Sequence, residues 1–196
     1  MLGRPRNFEE EDALEQATDL FWRQGYAPTS LNDLLEHMGI SRQSLYNTFG
    51  DKQQLFRRVL DHYVETRMGP WFAQLEAPSA NLDSIQTYLE GIARLSSVPG
   101  ATRKGCLMVN TLVDMPIRDS PAGKAVRRAA VRLEKAMLSA LENAKTADQL
   151  APRLDLGETA TFLATVAHGL MVAGKAGASR KQQEATARLA LAAVRL

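Results

Sequence analysis

Polar side chains are concentrated between Arg42 and Asn47, where their types and spacing suit contact with a second molecule. Of this segment only Leu45 is plainly a core residue, so a helix formed here would expose most of its surface. Guanidinium, amide and hydroxyl groups are the ones that proteins place on base edges and phosphate oxygens in the major groove. The segment therefore predicts a DNA-reading helix, and the alternative is a solvated helix of an all-α protein.

Capping residues place this segment on the second of two short helices. Ser30 suits the start of the first helix, and Gly39 ends it because glycine adopts left-handed backbone easily. Ser41 then caps the second helix, and only Ile40 separates the two. The second helix should therefore leave at a steep angle to the first, which is the helix-turn-helix arrangement.

Charge near this segment also favours nucleic acid, although the net charge of the 196-residue chain is only +2. Between residues 37 and 60 the chain carries four cationic side chains against one acidic side chain, Asp51. Phosphate contact requires such local positive charge. At the N-terminus, Arg4 and Arg6 flank a proline; they predict a basic arm on a phosphate or in the minor groove, with a disordered terminus as the alternative.

Composition and motifs give little support to catalysis, to a metal site or to a cofactor. The three histidines, His37, His62 and His168, lack metal-ligand spacing, and the chain has no phosphate-binding loop or nucleophile motif. The single cysteine excludes an internal disulfide and favours the reducing cytoplasm. No run of about 18 apolar residues is present, so no membrane span is expected.

The rest of the chain predicts further helices, and the fold class is therefore all-α. A connecting helix should run from Asp51 to about Arg67, with a break at Met68–Pro70. The further helices are expected at Leu82–Ser97, Cys106–Asp114, Ser120–Ala147, Asp155–Gly174 and Ser179–Leu196. We predict a helix-turn-helix domain over residues 1–52 and an effector-binding and dimerisation domain over residues 53–196.

The last two predicted helices are rich in alanine and glycine and are apolar around more of their circumference than one face needs. Two copies of such a pair would form a four-helix dimer interface, so we predict a homodimer through these helices. Leu170 and Leu189 are the expected interface positions. The basic side chains of the long preceding helix are interpreted as a solvated face, with a second nucleic-acid patch as the alternative.

Several residues of the second domain are candidates for an effector pocket, and each has a core role as its alternative. Asn110 lies in an apolar segment and must find a partner or line a cavity. His168 is either a pocket residue or a satisfied core histidine. The full set of candidates is Trp71, Phe72, Tyr88, Cys106, Asn110, Phe162, His168 and Met171.

The stretch LFWRQGYAPTSLNDLLEHMGISRQSLYNTFGDKQQLF, within Phe8–Phe56, resembles the TetR family of transcriptional regulators. It has the family's spacing between the first-helix glycine, the threonine-serine cap, the turn glycine, the Leu-Tyr pair and the Phe-x-x-Lys motif. The resemblance implies groove contacts from Arg42, Gln43 and Ser44. It also implies phosphate contacts from Thr29, Tyr46 and Lys52, and Ser30 is a further expected DNA contact. Asn47 stands where many members have histidine.

Gly105-Cys106-Leu107 followed by Asn110 also resembles a subgroup of this family, some of whose members sense electrophiles or oxidants through the cysteine. Lys104, Lys175 and Arg103 would lower the pKa of the thiol if they lay close to it. The alternative is an inert core cysteine, because buried cysteines behave as small apolar residues.

These patterns together predict a homodimeric, ligand-responsive regulator of double-stranded DNA. It would be a repressor released from a palindromic operator by a small effector of unknown identity. Thiol modification of Cys106 is the alternative trigger. A helical enzyme and a constitutive architectural DNA binder are the other classes; turnover would identify the enzyme, and an effector-insensitive footprint would identify the architectural protein.

Overall fold

The computed structural model describes residues 9–95, 104–114 and 120–196, and in these ranges the ordered elements are helical apart from an isolated bridge between Leu150 and Arg195. The predicted all-α fold is confirmed. The helices are α1 (Glu10–Gln24), α2 (Leu31–Met38), α3 (Arg42–Phe49), α4 (Lys52–Tyr63), a π-helical turn (Val64–Met68), α5 (Gly69–Leu75), α6 (Leu82–Leu95), α7 (Leu107–Asp114), α8 (Pro121–Thr146), α9 (Leu156–Lys175) and α10 (Arg180–Ala192).

The helix-turn-helix forms as its capping residues predict. The Ser30 hydroxyl accepts from the backbone N–H of Asp33, and the Asp33 carboxylate accepts from the backbone N–H of Ser30, so the two residues form a capping box. Gly39 ends α2 with φ +65°, a left-handed conformation that favours glycine. The Ser41 hydroxyl then accepts from the backbone N–H of Ser44 at 3.1 Å and starts α3.

Helix α4 joins the head, defined here as α1–α3, to the rest of the protein. Its apolar side chains Leu55, Phe56 and Val59 are almost fully buried, and the helix packs on α1 on one side and on α8 on the other. The domain boundary predicted at residue 52 therefore coincides with the start of a helix that both domains share. Because this helix is closely packed on each side, it is one route by which movement in one domain can reach the other.

The break predicted at Met68–Pro70 takes the form of a π-helical turn followed directly by α5. Pro70 is the second residue of α5, where its missing N–H costs little. The helical path therefore continues from α4 into α5 with a change of hydrogen-bonding register. This change places the side chains of α5 on a different face from those of α4.

The C-terminal body, defined here as α5–α10, has its own apolar core, in which Leu89, Met137 and Leu163 are fully buried. Helix α10 was expected to reach the C-terminus but ends at Ala192. The remaining residues turn back instead, because the N–H of Leu196 donates to the carbonyl of Gln149 at 3.0 Å and the N–H of Ala151 donates to Val194.

Helices α9 and α10 leave one apolar face uncovered. Phe162, Val172 and Leu189 are exposed by 44%, 49% and 70%. Leu170, predicted to be exposed at an interface, is instead 2% exposed inside the body core, so that assignment was wrong. Helix α9 is also long and apolar enough to cross a membrane by length and composition, contrary to the expectation from the sequence.

Candidate nucleic-acid interface and adjoining cavity

Helix α3 presents a polar outer face. Leu45 and Phe49 are buried against the head, whereas Arg42, Gln43 and Tyr46 are exposed. Two hydrogen bonds order this face before any partner arrives: Arg42 Nη2 donates to Asn32 Oδ1 at 2.9 Å, and Gln43 Nε2 donates to Asn47 Oδ1 at 3.0 Å. The face therefore offers oriented donors and acceptors of the kind that read base edges.

Lys52 lies at the N-terminus of α4, beside the two short helices. Its ammonium sits 4.4 Å from the centre of the Tyr26 ring, a cation–π contact that fixes the side chain. Partial burial lowers the pKa of this lysine, while nearby Asp33 opposes that change. A cation that has already lost part of its hydration is well suited to bind a phosphate oxygen.

Two of the predicted DNA contacts have other roles within the protein. Thr29 is fully buried, and its hydroxyl donates to the Gly25 carbonyl at 2.6 Å, so it has no free surface for a phosphate contact. Ser30 is exposed but its hydroxyl is occupied by the capping box of α2. The predicted basic arm, Arg4 and Arg6, lies outside the described residues.

Ion pairs fix the head to α4. Arg58 pairs with Glu10 and also donates to the Thr48 carbonyl at 3.0 Å, which ties the end of α3 to α4. Glu15 of α1 accepts from His62 at 3.0 Å and pairs with Arg67. Because these contacts join α1, α3 and α4, they fix the position of α3 relative to α4.

A cavity of about 290 Å³ lies between the head and the C-terminal body. Four aromatic side chains form its walls: Trp22 of α1, Tyr63 of α4, Trp71 of α5 and Tyr88 of α6. Trp22 and Tyr63 meet edge to face at 5.1 Å, and Trp71 and Tyr88 do so at 6.3 Å. The remaining lining residues are Arg67, Met68, Ile92, Leu95, Gly105, Cys106, Met171, Gly174 and Lys175.

Half of the predicted effector-site residues line this cavity, namely Trp71, Tyr88, Cys106 and Met171. Phe72 does not, because it follows Trp71 on the helix and its ring is buried in the body core. Phe162 lies on the exposed face of α9. His168 lines a separate gap of about 20 Å³, where burial lowers its pKa, and Asn110 lies behind the cavity wall.

Sequence reasoning missed Trp22, Tyr63 and Lys175 as cavity residues. In the sequence, Trp22 and Tyr63 look like ordinary inward-facing residues of a helix. The spacing of apolar residues is the same whether such a side chain lines a cavity or fills a core. The two tryptophans of the chain, Trp22 and Trp71, could have indicated the cavity from the sequence, since both line it.

The chemistry of Cys106 is that of a protonated thiol. Burial raises its pKa, and hydrogen bonds from the backbone of Val109, the Tyr63 hydroxyl and the backbone of Met108 offset only part of that effect. The two described lysines that were expected to lower the pKa are bound elsewhere: Lys104 to Asp19 at 2.7 Å, and Lys175 to Asn110 at 2.8 Å. Arg103 lies outside the described residues.

The loop before Cys106 contacts the head directly. Trp22 Nε1 donates to the Gly105 carbonyl at 2.8 Å, and Lys104 lies over the Trp22 ring while its ammonium pairs with Asp19. Asp19 also pairs with Arg23 at 2.8 Å. The wall of the cavity and the first helix of the head are therefore joined by two polar contacts and one ring contact.

Two further findings concern residues outside α3 and the cavity. An open groove of about 800 Å³ follows the basic face of α8, where Arg128 pairs with Asp61 and Arg132 pairs with Glu76. This pairing agrees with a solvated surface. Among the described residues, no three His, Cys, Asp or Glu side chains are placed to hold a metal ion.

Two family models match the chain. "Bacterial regulatory proteins, tetR family" matches residues 13–59, and "Tetracyclin repressor-like, C-terminal domain" matches residues 82–190. The first match ends within α4, and the second covers α6–α10. Together they account for the head and for most of the C-terminal body.

Individual proteins are also similar over most of their length. The HTH-type transcriptional repressor ComR of Escherichia coli K12 is 30% identical over 90% of this chain and 84% of its own. The uncharacterised regulator YezE of Bacillus subtilis 168 is 33% identical over 76% of each chain. A cysteine mutant of the TetR family regulator CifR, solved with 26-bp operator DNA, gives a TM-score of 0.83 at 32% identity over 97% of this chain and 99% of that one.

Proposed function

The chain belongs to the TetR family of bacterial transcriptional regulators, and we propose that it is a homodimeric repressor that a small effector releases from a two-fold operator. It is a DNA-binding transcriptional regulator of the kind its relatives are named for. The observation that carries the proposal is the position of Trp22, which belongs to the DNA-reading head and also forms a wall of the cavity. A ligand bound in the cavity would therefore contact a residue of the head directly.

In the proposed complex α3 lies in the major groove. Arg42 and Gln43 contact base edges, Ser44 supports them near the helix start, and Asn47 extends the polar face. Tyr46 and Lys52 contact phosphates and set the register of the head. The support for these roles is the exposure of Arg42, Gln43 and Tyr46 and the firm placement of Lys52 against Tyr26.

The proposed dimer forms through α9 and α10. Phe162, Val172 and Leu189 are exposed on this pair, and small residues such as Gly169 of α9 and Ala193 after α10 are exposed as well and would permit close helix approach. Such a face is costly in water and is best covered by a second copy of itself, because a two-fold axis pairs the same patch on both subunits. A partner copy also explains why α9 is so apolar without a bilayer, and we place the protein in the cytoplasm.

Release follows from a difference in affinity between two conformations. A ligand in the cavity contacts Trp22 of the head and Tyr63 of α4, whose positions are tied to the reading helix by Arg58 and Glu10. If the ligand fits better when these helices are shifted, it favours a dimer whose two heads have the wrong spacing. Binding of ligand and binding of operator then oppose each other.

Fluorescence anisotropy with labelled operator tests this proposal. The operator is first selected from a random DNA pool with the purified protein. Compounds that bind the cavity, identified by quenching of Trp22 and Trp71 fluorescence, should raise the dissociation constant of the operator complex. A protein whose operator affinity is unchanged by every cavity-binding compound would be a constitutive DNA binder, and the proposal would be wrong.

Modification of Cys106 is the second candidate trigger. It is favoured by one observation, the position of the thiol in the cavity wall. It is opposed by the raised pKa, because the thiolate is the reactive form. We therefore expect slow labelling by a maleimide in the native protein, and a Cys106→Ser variant that still responds to the effector. Fast labelling that releases the operator would instead make modification of Cys106 the favoured trigger.

A further inference from the structure

Lys175, the last residue of α9, is exposed and lines both the cavity and an adjoining pocket of about 110 Å³, which Asn110 and Asp114 also line. Its ammonium donates to Asn110 Oδ1 at 2.8 Å, and no carboxylate oxygen lies within 4.0 Å of it in the described ranges. Asn110 cannot turn away, because its Nδ2 donates to the Lys104 carbonyl at 2.7 Å. The amide oxygen therefore faces Lys175 and holds the ammonium in place without a directly paired carboxylate.

Gly105 makes room for this lysine. Its φ of +62° lies in the left-handed region, and a Cβ there would stand 3.1 Å from Lys175 Cδ and 3.3 Å from Asn110 Oδ1. The stem of Lys175 consequently passes over the Gly105 backbone, beside Cys106. Two residues of the Gly-Cys-Leu motif region, Gly105 and Asn110, thus hold the side chain of Lys175.

The other charges of the cavity wall cancel or are absent. Arg67 also lines the cavity, but its guanidinium pairs with Glu15 of α1. No Asp or Glu lines the cavity among the described residues. The described wall therefore carries one cation without a paired carboxylate and no anion, since Asp114 lines the adjoining pocket instead; this disfavours cationic ligands and favours anionic ones.

Tyr88 provides a second, independent group for a ligand. The residue is only 3% exposed and lines the cavity, and no hydrogen bond of its hydroxyl is found among the described residues. Burial raises its pKa, so the hydroxyl remains a donor. Among the described residues, Gln183 Oε1 is the fully buried side-chain atom without a partner, so the Tyr88 hydroxyl is accessible and can donate to an acceptor on a ligand in the cavity.

We propose that the cavity binds a small aromatic carboxylate, with its carboxylate on Lys175 and its rings against the aromatic walls. The four aromatic side chains favour a flat apolar body, and the Lys175 ammonium favours a single negative charge. Identifying this ligand as the effector rests on the proposed function; its chemical class rests on the cavity alone.

Three ligands of one shape test the class of charge: 2-naphthoate, 2-naphthamide and 2-naphthylmethylammonium, titrated calorimetrically into the DNA-free protein. We expect 2-naphthoate to bind at least about tenfold more tightly than the amide, and the ammonium compound most weakly. Lys175→Met should weaken 2-naphthoate by roughly 10- to 100-fold, the usual range for a hydrogen bond to a charged group, and leave the amide unchanged. Lys175→Arg should retain most of the affinity.

Equal affinity for the three compounds, binding of none at millimolar concentration, or full 2-naphthoate affinity in Lys175→Met would overturn the inference. The same samples separate it from the proposed function. If 2-naphthoate binds as expected but operator affinity does not change, the ligand class stands and release by this class is wrong. If the protein selects no operator at all, the proposed function is wrong whatever the calorimetry shows.

Discussion

The proposed DNA-reading surface and the cavity between the head and the C-terminal body are built in opposite ways. The reading surface is one continuous stretch, with Ser30 and Ser41 capping its helices and Lys52 at its end. The cavity takes its walls from helices far apart in the chain, such as Trp22 in α1 and Lys175 in α9. A surface made by local hydrogen bonds can be recognised from sequence spacing, whereas a cavity depends on how distant helices pack. The same contrast predicts how the two regions respond to substitution.

The largest effect on operator binding should come from outside the head. Leu189→Glu places a charge on the exposed face of α10 and should produce monomers, because two copies cannot bury an unpaired carboxylate. Operator affinity should then fall by roughly 10²–10⁴-fold, the gain that a second linked head supplies. Sedimentation and anisotropy measure the two results.

Lys181→Glu, an exposed charge reversal near the start of α10, is the control and should remain dimeric. Dimers of Leu189→Glu would place the interface elsewhere. Leu170→Glu should instead reduce the stability of each protomer, because that side chain lies in the body core.

A smaller and more specific effect should come from the reading helix. Gln43→Ala should cost about 1–3 kcal/mol on the operator and relax the preference at particular base pairs, because a direct contact to base edges is lost. Competition with operators mutated at single positions measures both effects. Gln16→Ala, the same exchange on the exposed side of α1, should change neither. An unchanged base preference in Gln43→Ala would contradict the proposed position of α3 in the major groove.

A phosphate contact should weaken binding on all sequences alike. Lys52→Met keeps the apolar stem against Tyr26 and removes the charge. The slope of log affinity against log salt concentration should become shallower by about one unit, because one fewer counterion is released. Equal salt slopes for this variant and the wild type would show that Lys52 does not touch the DNA backbone.

The smallest effect on DNA should come from filling the cavity. A Cβ at Gly91 would lie 2.2 Å from Trp71 Cζ3, so Gly91→Ala must push the indole from its place. We expect altered tryptophan fluorescence and loss of ligand binding, with operator affinity of the ligand-free protein within about twofold of wild type. Gly69→Ala, whose Cβ meets no atom closer than 3.6 Å, is the control. A large loss of operator affinity in Gly91→Ala would contradict this limit and would show that a displaced Trp71 ring acts on the head as a bound ligand is proposed to do.

The sequence predicted the local features of the fold well and the long-range ones poorly. The helix expected from Ser120 begins at Pro121 with Ser120 as its cap, and its start could be found because it depends on a few adjacent residues. Asn110 was expected to have a partner, and it binds both Lys104 and Lys175. By contrast, periodicity placed Leu170 on an interface, because the spacing of apolar residues shows that a helix has two covered faces but not which neighbour covers each.

The same reason explains the candidate site. The outer face of α3 needed no knowledge of tertiary structure, because Leu45 and Phe49 identify its inner side. Trp71 and Phe72 could not be separated in this way. Adjacent residues on one helix point in different directions, and only the position of α6 shows that the first meets the cavity and the second the core.

A hydroxyl-radical footprint on an operator selected from random DNA tests the central claim most directly, namely that two copies of α3 read a two-fold site. We expect two protected half-sites of inverted sequence, centred one helical turn or a multiple of it apart, at about 10 bp per turn. The protection should be lost in Leu189→Glu at concentrations that protect the site with wild-type protein. Protection without sequence preference, or of a single half-site by the wild-type protein, would contradict the account.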